Sequence, residues 1–203
     1  VLDQGYWPDG LYTPPSDEAM IFDIQAMKNL GFNMLRKHVK IENLRWYYHC
    51  DRLGMLVWQD QPSNTMKKEY TGIEFPPSPD SNYSLFGRED GNSRKNYIRD
   101  LFRVIEQLYN VVSICTWVPF NEGWGQFDSI KISGLIKSID KTRFVDHASG
   151  SPDNNGFDFT SMHIFTKEIK MRKINYNLNR AMVLSEYGGL GLCVKNHSVS
   201  ENN

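Results

Sequence analysis

Two short runs of the sequence set a carboxylate among residues that let a chain turn sharply. The first is Trp117-Val118-Pro119-Phe120-Asn121-Glu122-Gly123-Trp124-Gly125-Gln126, in which Asn121 and Glu122 follow an apolar stretch. The second is Met182-Val183-Leu184-Ser185-Glu186-Tyr187-Gly188-Gly189, in which Glu186 follows another. Glycine permits tight turns and close approach of backbone. Two carboxyls facing one pocket can divide labour, one donating a proton and the other staying ionised. Cleavage of a glycosidic bond needs such a pair, because the leaving oxygen must be protonated while the anomeric carbon is attacked. Taken singly, each Glu has a plainer reading, since an acidic residue after a strand is commonly the cap of the next helix.

The elements that must carry these residues alternate. Ser16 is placed to cap a helix with Asp17 and Glu18 in its first turn and Met20, Ile24 and Met27 on one face. Gly31 fits its stop. Residues 32–36 read as a strand, 42–53 as a helix closed by Gly54, and 55–58 as a buried strand. Tyr97, Leu101, Val104, Ile105 and Leu108 make the next apolar helical face. Residues 111–118 form an apolar strand of the kind buried inside a parallel sheet. A helix through Ile132, Leu135, Ile136 and Ile139 follows, with Asp128 as its expected cap, and then strands at 144–147, 159–165 and 181–185. Helix and strand in turn, on short connections, imply a parallel sheet with crossover helices. Residues 62–91, with Pro62, Pro76, Pro77 and Pro79, break the rhythm and are expected to form a long loop insertion after the third strand.

Of the two parallel architectures, a doubly wound nucleotide binder should carry a glycine-rich phosphate turn, and neither GxGxxG nor GxxxxGK[ST] occurs. The expected fold is therefore α/β, a (β/α)8 TIM barrel. Such a barrel usually takes about 250 residues, and this chain has 203, so a truncated barrel lacking most of strand one and strand eight is expected. In a barrel the chemistry lies at the C-terminal strand ends. The polar residues there are Asp3 and Gln4; Arg36 and His38; Asp60; Asn121 and Glu122; Asp146 and His147; His163; and Glu186.

Composition narrows the remaining classes. The net charge of −1 lacks the basic surface that a nucleic-acid partner would require. No apolar run approaches the roughly 18 residues of a membrane span. Cys50, Cys115 and Cys193 are odd in number and lack CxxC spacing, which suggests buried thiols, not a disulfide framework or a zinc site. The five histidines show no HExxH or paired spacing, so no metal is assigned. Aromatic residues make up 13%, enough either for a well-filled core or for a site that stacks sugar rings.

In Leu2-Asp3-Gln4-Gly5-Tyr6-Trp7-Pro8-Asp9-Gly10, Phe32-Asn33-Met34-Leu35-Arg36-Lys37-His38 and Trp46-Tyr47-Tyr48-His49-Cys50-Asp51-Arg52-Leu53-Gly54, as in the two glutamate runs, the chain resembles the catalytic domain of glycoside hydrolase family 2. This is the family of β-galactosidases, β-glucuronidases and β-mannosidases. The resemblance implies a single catalytic barrel over residues 1–203, with β-sandwich domains in a longer parent chain. It implies Glu122 as acid/base, Glu186 as nucleophile, and retention of anomeric configuration with no cofactor. It further implies Asn121 on the sugar 2-hydroxyl and Arg36 beneath the nucleophile. His38, Asp60, Trp124, His163 and Tyr187 would complete a site for a carbohydrate substrate. Some family β-galactosidases carry Met-Tyr at the end of strand six, where this chain has Met162-His163. Gln59-Asp60-Gln61-Pro62 also departs from their Asp-Glu-x-Asn run, and their metal ligands find no match. β-Galactosides are the first expectation for substrate, with glucuronides and mannosides as alternatives. A sugar-binding or inactive truncated barrel is the alternative to an enzyme. Lys37 and Lys40 are expected to be solvated charges near the rim.

Overall fold

The computed structural model describes residues 1–63, 79–166 and 179–189. Among these, seven strands alternate with four helices: β1 (Leu2–Asp3), α1 (Asp17–Asn29), β2 (Met34–Lys37), α2 (Leu44–Leu53), β3 (Leu56–Asp60), α3 (Gly91–Leu108), β4 (Ile114–Val118), α4 (Ser129–Ile139), β5 (Phe144–Val145), β6 (Phe159–Ile164) and β7 (Ala181–Tyr187). Five strands form one parallel sheet in the order β1-β2-β3-β4-β5, and β6 and β7 form a parallel pair. Sequence order equals spatial order throughout, which is the winding of a (β/α) barrel. A side chain carries the curve onward from β5, where Val145 N–H donates to Asp158 Oδ2 at 2.7 Å. Beyond β5 the backbone still pairs with the end of β4, Ser149 N–H donating to Phe120 O at 2.9 Å.

Alternation along the strands, with Cys115 as an extra residue in β4, sorts the side chains into two cores. Leu35, Val57, Ile114, Trp117 and Val145 point outward, against Met20 and Ile24 of α1, Trp46 and Tyr47 of α2, Leu101 and Ile105 of α3, and Ile132 and Ile136 of α4. Met34, Trp58, Val118, Phe159 and Val183 point inward and pack together as the floor of the barrel. Trp58 and Phe159 stack with centroids 5.3 Å apart. Burying each large outward side chain contributes about 1.5–3 kcal/mol. The helices are thereby held to the sheet, and the strand ends are left free to carry polar groups. None of the described helices is long and apolar enough to cross a membrane.

The expected caps at Ser16 and Gly54 are present and the one at Asp128 is not; Asn43 and Asp90 cap the other two helices. Ser16 Oγ accepts from Ala19 N–H, Asn43 Oδ1 from Arg45 N–H, and Asp90 from the N–H groups of Asn92 and Ser93. Gly54 closes α2 at φ 66°, a conformation costly for other residues. Asp128 precedes α4 as expected but makes no capping bond. Its carboxylate instead accepts from the Tyr83 hydroxyl at 3.1 Å. The cap comes from far along the chain: Asp80 Oδ2 accepts from Ser129 N–H at 2.9 Å, and also from Gln126 and Asn154 side chains. A left-handed backbone at Asp128 (φ 42°) accompanies the absence of its own capping bond. Asp80 lies in the 62–91 stretch, of which residues 64–78 are outside the described residues. Cys50 is buried and Cys115 half-buried, both as free thiols. Cys193 lies outside the described residues.

Asp80→Ala removes an acceptor shared by three donors in a buried setting, and Ser129 N–H loses its cap. Such a loss typically costs about 1–3 kcal/mol. Asp128→Asn keeps both an acceptor and tolerance of left-handed backbone, and is expected to stay within about 0.5 kcal/mol of wild type. Urea denaturation of the two variants checks the ranking.

Candidate active site

Arg36, at the end of β2, is the centre of the polar cluster. Its side chain is 5% exposed. Nε donates to Asp60 Oδ1 and Nη2 to Asp60 Oδ2, both at 3.0 Å, a bidentate pairing with the end of β3. Nη2 also donates to Asn121 Oδ1 at 2.8 Å, and Nη1 to Glu186 Oε1 at 2.8 Å. One guanidinium thus joins four strand ends. It also fixes the Asn121 amide: with Oδ1 accepting, Nδ2 must donate, and it lies 3.1 Å from His38 Nε2. Burial holds His38 below its ordinary pKa against the pull of Asp60, so that Nε2 is an acceptor near neutrality. His38 Nδ1 lies 3.3 Å from the Gln4 side-chain amide at the end of β1.

Glu122 reaches the same mouth from a strained turn. It has φ 51°, and Gly123 and Gly125 have φ 75° and 63°. A non-glycine residue in that region is uncommon and is held by its surroundings. Here the holding bonds are Glu122 N–H to Ser149 O at 2.8 Å and Trp124 N–H to Asn121 O at 3.0 Å. Arg88 clamps the far side, donating to Gly125 O at 2.8 Å and to Ser63 O at 2.7 Å. A Cβ at position 125 would stand 2.1 Å from Ser63 O, so only glycine fits there.

His163, on β6, stands between the two glutamates. Nδ1 is 2.8 Å from Glu122 Oε1; Nε2 is 3.0 Å from Ser149 Oγ and 3.6 Å from Glu186 Oε1. The β6/β7 register slips between Met162 and His163, so that Met162 pairs with Leu184 and His163 with Glu186. Ser185 is the extra residue of this bulge. Strict alternation would send Ser185 and Glu186 to opposite faces. The bulge lets Ser185 Oγ meet Ser149 and Ser161 while Glu186 meets Arg36.

A carboxylate oxygen of Glu122, a ring nitrogen of His163 and a carboxylate oxygen of Glu186 all lie within 4.8 Å of one another. A divalent cation is disfavoured among them, because the Arg36 guanidinium already lies on Glu186. The two carboxyls are displaced in opposite directions. Burial pushes Glu186 up, and the pull of Arg36 and His163 only partly offsets it. Burial also pushes Glu122 up, but the hydrogen bond and charge of His163, with a smaller contribution from Trp124, bring it below the usual range. Asp146, at the end of β5, is fully buried. Burial drives its pKa up more than Arg36 draws it down.

The structure gathers Arg36, His38, Asp60, Asn121, Glu122, His163 and Glu186 into one cluster. Asp60 sits differently from the expected sugar contact. It is 1% exposed, and its oxygens are taken by Arg36 and by Val39 N–H at 3.2 Å. It therefore holds Arg36 from behind. His163 bonds Glu122 more closely than Glu186. Trp124 is half-buried beside Glu122. Tyr187 is 60% exposed. With Leu2, Trp58, Phe165 and Val183 it lines a cavity of about 520 Å³ that reaches Arg36 and Glu186.

Lys37 and Lys40 are not solvated. Their side chains are 1% and 2% exposed, and both pair with Glu42 Oε2, at 3.2 and 2.8 Å. Lys37 also pairs with Asp3 at 3.0 Å and lies over the Trp46 ring. Lys40 donates to the carbonyls of Gly5 and Tyr12, tying down the loop after β1. Ser149 and Ser185 were not singled out by the sequence. Serine is common in turns and strands, and nothing local distinguishes these two.

The fold is a parallel α/β barrel with paired carboxyls at its strand ends. Residues 15–189 match the glycosyl hydrolases family 2, TIM barrel domain, and the chain belongs to that family. It is 23% identical over 195 residues to a β-galactosidase of Leuconostoc mesenteroides, covering 90% of this chain and 17% of that protein. Among solved structures it resembles the FMN-binding β-glucuronidase from Facaelibacterium prausnitzii L2-6, with TM-score 0.68, 19% identity, and coverage of 95% of this chain and 30% of that one. It also resembles the Parabacteroides merdae β-glucuronidase, with TM-score 0.60, 18% identity, and coverage of 81% and 20%. The chain thus spans under a third of the length of each of these relatives.

Arg36→Met would leave Asp60 and Glu186 buried without their cation. Breaking a buried pair in this way costs about 3–5 kcal/mol. Arg36→Lys restores the charge but not the fork, and should recover only part of the loss. Chemical denaturation reads both; a loss below about 1 kcal/mol for the methionine variant contradicts the central role given to Arg36.

Proposed function

We propose that this chain is the catalytic barrel of a retaining β-glycosidase that acts on terminal β-glycosides, with Glu186 as nucleophile and Glu122 as acid/base. The observation that carries the reading is the spacing of the two glutamates, with oxygens within 4.8 Å, together with the Arg36 guanidinium 2.8 Å from Glu186. Retaining pairs stand about 5–5.5 Å apart, whereas inverting pairs need about 6.5–9.5 Å to admit a water. A cation in contact with a carboxylate favours its ionised form, which a nucleophile requires.

In the first half-reaction a Glu186 oxygen bonds to the anomeric carbon as the glycosidic C–O bond breaks. The electron pair of that bond goes to the leaving oxygen, which takes a proton from Glu122. In the second half, Glu122 removes a proton from water, and the water oxygen displaces Glu186. Asn121, its amide oriented by Arg36, is the group proposed to meet the sugar 2-hydroxyl. Trp124 and Tyr187 are proposed to line the sugar site, with His38 beside Asn121.

A neutral hexose, with galactose first, is the proposed substrate class. Recognition of a uronate would call for a cation free to pair with its carboxylate. Among the described residues at this mouth, Arg36 is taken up by Asp60, Asn121 and Glu186. Lys37 and Lys40 are buried on Asp3 and Glu42. The β-galactosidase relative points the same way. β-Sandwich domains in a longer parent chain are part of the proposal, in keeping with the share of each relative that this barrel spans.

One observation favours exchanging the two roles: Glu122 is drawn below and Glu186 pushed above the usual carboxylate range. Azide separates the two assignments. In the full-length protein, Glu122→Ala and Glu186→Ala should each lose about 10²-fold or more in kcat. Azide should restore turnover of an activated aryl glycoside by Glu122→Ala, giving a β-glycosyl azide. Formation of that same β product by Glu186→Ala would reverse the assignment.

A further inference from the structure

The pull of His163 on Glu122 poses a question for an acid catalyst, and the hydroxyls behind His163 answer it. Ser185 Oγ lies 2.5 Å from Ser161 Oγ and 3.2 Å from Met162 O, and its one proton is used on that side. Ser149 Oγ in turn donates to Ser185 Oγ at 3.2 Å. With its single proton used there, Ser149 can only accept from His163 Nε2, 3.0 Å away. The neutral imidazole is therefore the Nε2–H tautomer, as its hydrogen-bond network assigns it. Its Nδ1 lone pair then faces Glu122 Oε1 at 2.8 Å. A lone pair and a carboxylate oxygen cannot sit at that distance without a proton between them.

We propose that His163 is the positioning residue of the candidate acid/base, holding one proton jointly with Glu122 while the Ser149–Ser185 chain fixes its tautomer. The inference rests on the acid/base role proposed for Glu122. The shared proton is the one delivered to the leaving oxygen as the C–O bond breaks, and the attacking water returns it. Across both half-reactions the pair is left unchanged. The groups that face His163 are Glu122 from the turn after β4, Glu186 from β7, and Ser149 from the loop after β5, with His38 nearby. Gly150 packs on the ring itself: a Cβ there would stand 2.9 Å from Nδ1.

Two groups that share a proton titrate as a unit, so the basic limb of the pH profile belongs to the pair. In His163→Gln the proton can only be on Glu122. The reference values of glutamate and histidine differ by about two units, and the basic limb of kcat/KM should move to lower pH by about one to two units. The loss should depend on the leaving group. Aryl glycosides of poorly acidic phenols should fall by about 10²-fold, the scale of general acid catalysis. 2,4-Dinitrophenyl glycosides, whose leaving group needs no proton, should change by less than about 5-fold on the same reasoning.

The test is the pH profile of wild type, His163→Gln and Ser149→Ala in the full-length protein, on both classes of aryl β-glycoside. Ser149→Ala frees the tautomer without touching either carboxyl, and should move the limb in the same direction by a smaller amount. It also decides the matter if His163→Gln does not fold. An active wild type whose basic limb stays put in whichever variants fold overturns the inference alone. A wild type that cleaves no aryl β-glycoside overturns the functional reading on which it rests.

Discussion

The site depends on one buried cation. Arg36 touches β3, the turn after β4, and β7 at once, through Asp60, Asn121 and Glu186. A guanidinium suits this because its five donors lie in one plane and reach several acceptors without rotating. Burying it is expensive unless every donor and the charge are answered. The bidentate bond to Asp60 answers the charge from behind and leaves Nη1 aimed at Glu186. Without Asp60 the arginine would be an underpaired ion; without Arg36, Asp60 and Glu186 would both be buried anions. The burial that would otherwise neutralise Glu186 is thus opposed by a cation fixed at hydrogen-bond distance.

Around that centre the backbone supplies two distortions that regular strands could not. The bulge at Ser185 turns two successive residues of β7 toward the barrel mouth, so that one serves the hydroxyl chain and the next the guanidinium. The left-handed turn at Glu122 brings its carboxyl back over His163, with Arg88 and the glycines holding the loop. A second buried ionic cluster, Lys37 and Lys40 with Asp3 and Glu42, anchors the loop that follows β1. Its charges cancel within the cluster, which makes it a fastening of the fold and leaves the polar mouth to Arg36.

Much of this was legible before any coordinates. The alternation of apolar helical faces with short apolar strands specified a parallel α/β barrel, because burial on both faces of a strand and one face of a helix imposes those two periods. The strand ends were readable for the same reason, which is why Arg36, Asn121, Glu122 and Glu186 stood out. What escaped was set by distance in the chain. Asp80 caps α4 in place of Asp128 from 49 positions away. Ser149 and Ser185 join His163 only after β6 and β7 pair with a slipped register. Lys37 and Lys40 read as rim charges because lysine is usually solvated, and their acidic partner Glu42 gives no periodic signal. Local propensity and spacing cannot report contacts that exist only after the strands have assembled.

The central claim is that Glu186, oriented by Arg36, bonds to the anomeric carbon. A 2-deoxy-2-fluoro-β-galactosyl fluoride slows hydrolysis of the glycosyl-enzyme more than its formation, so the covalent species accumulates. Incubation with the full-length protein, followed by proteolysis and mass spectrometry of the peptides, should find the fluorosugar on the peptide bearing Glu186 and nowhere else. Label on Glu122, or unlabelled protein that still turns over substrate and resists the reagent, would contradict it.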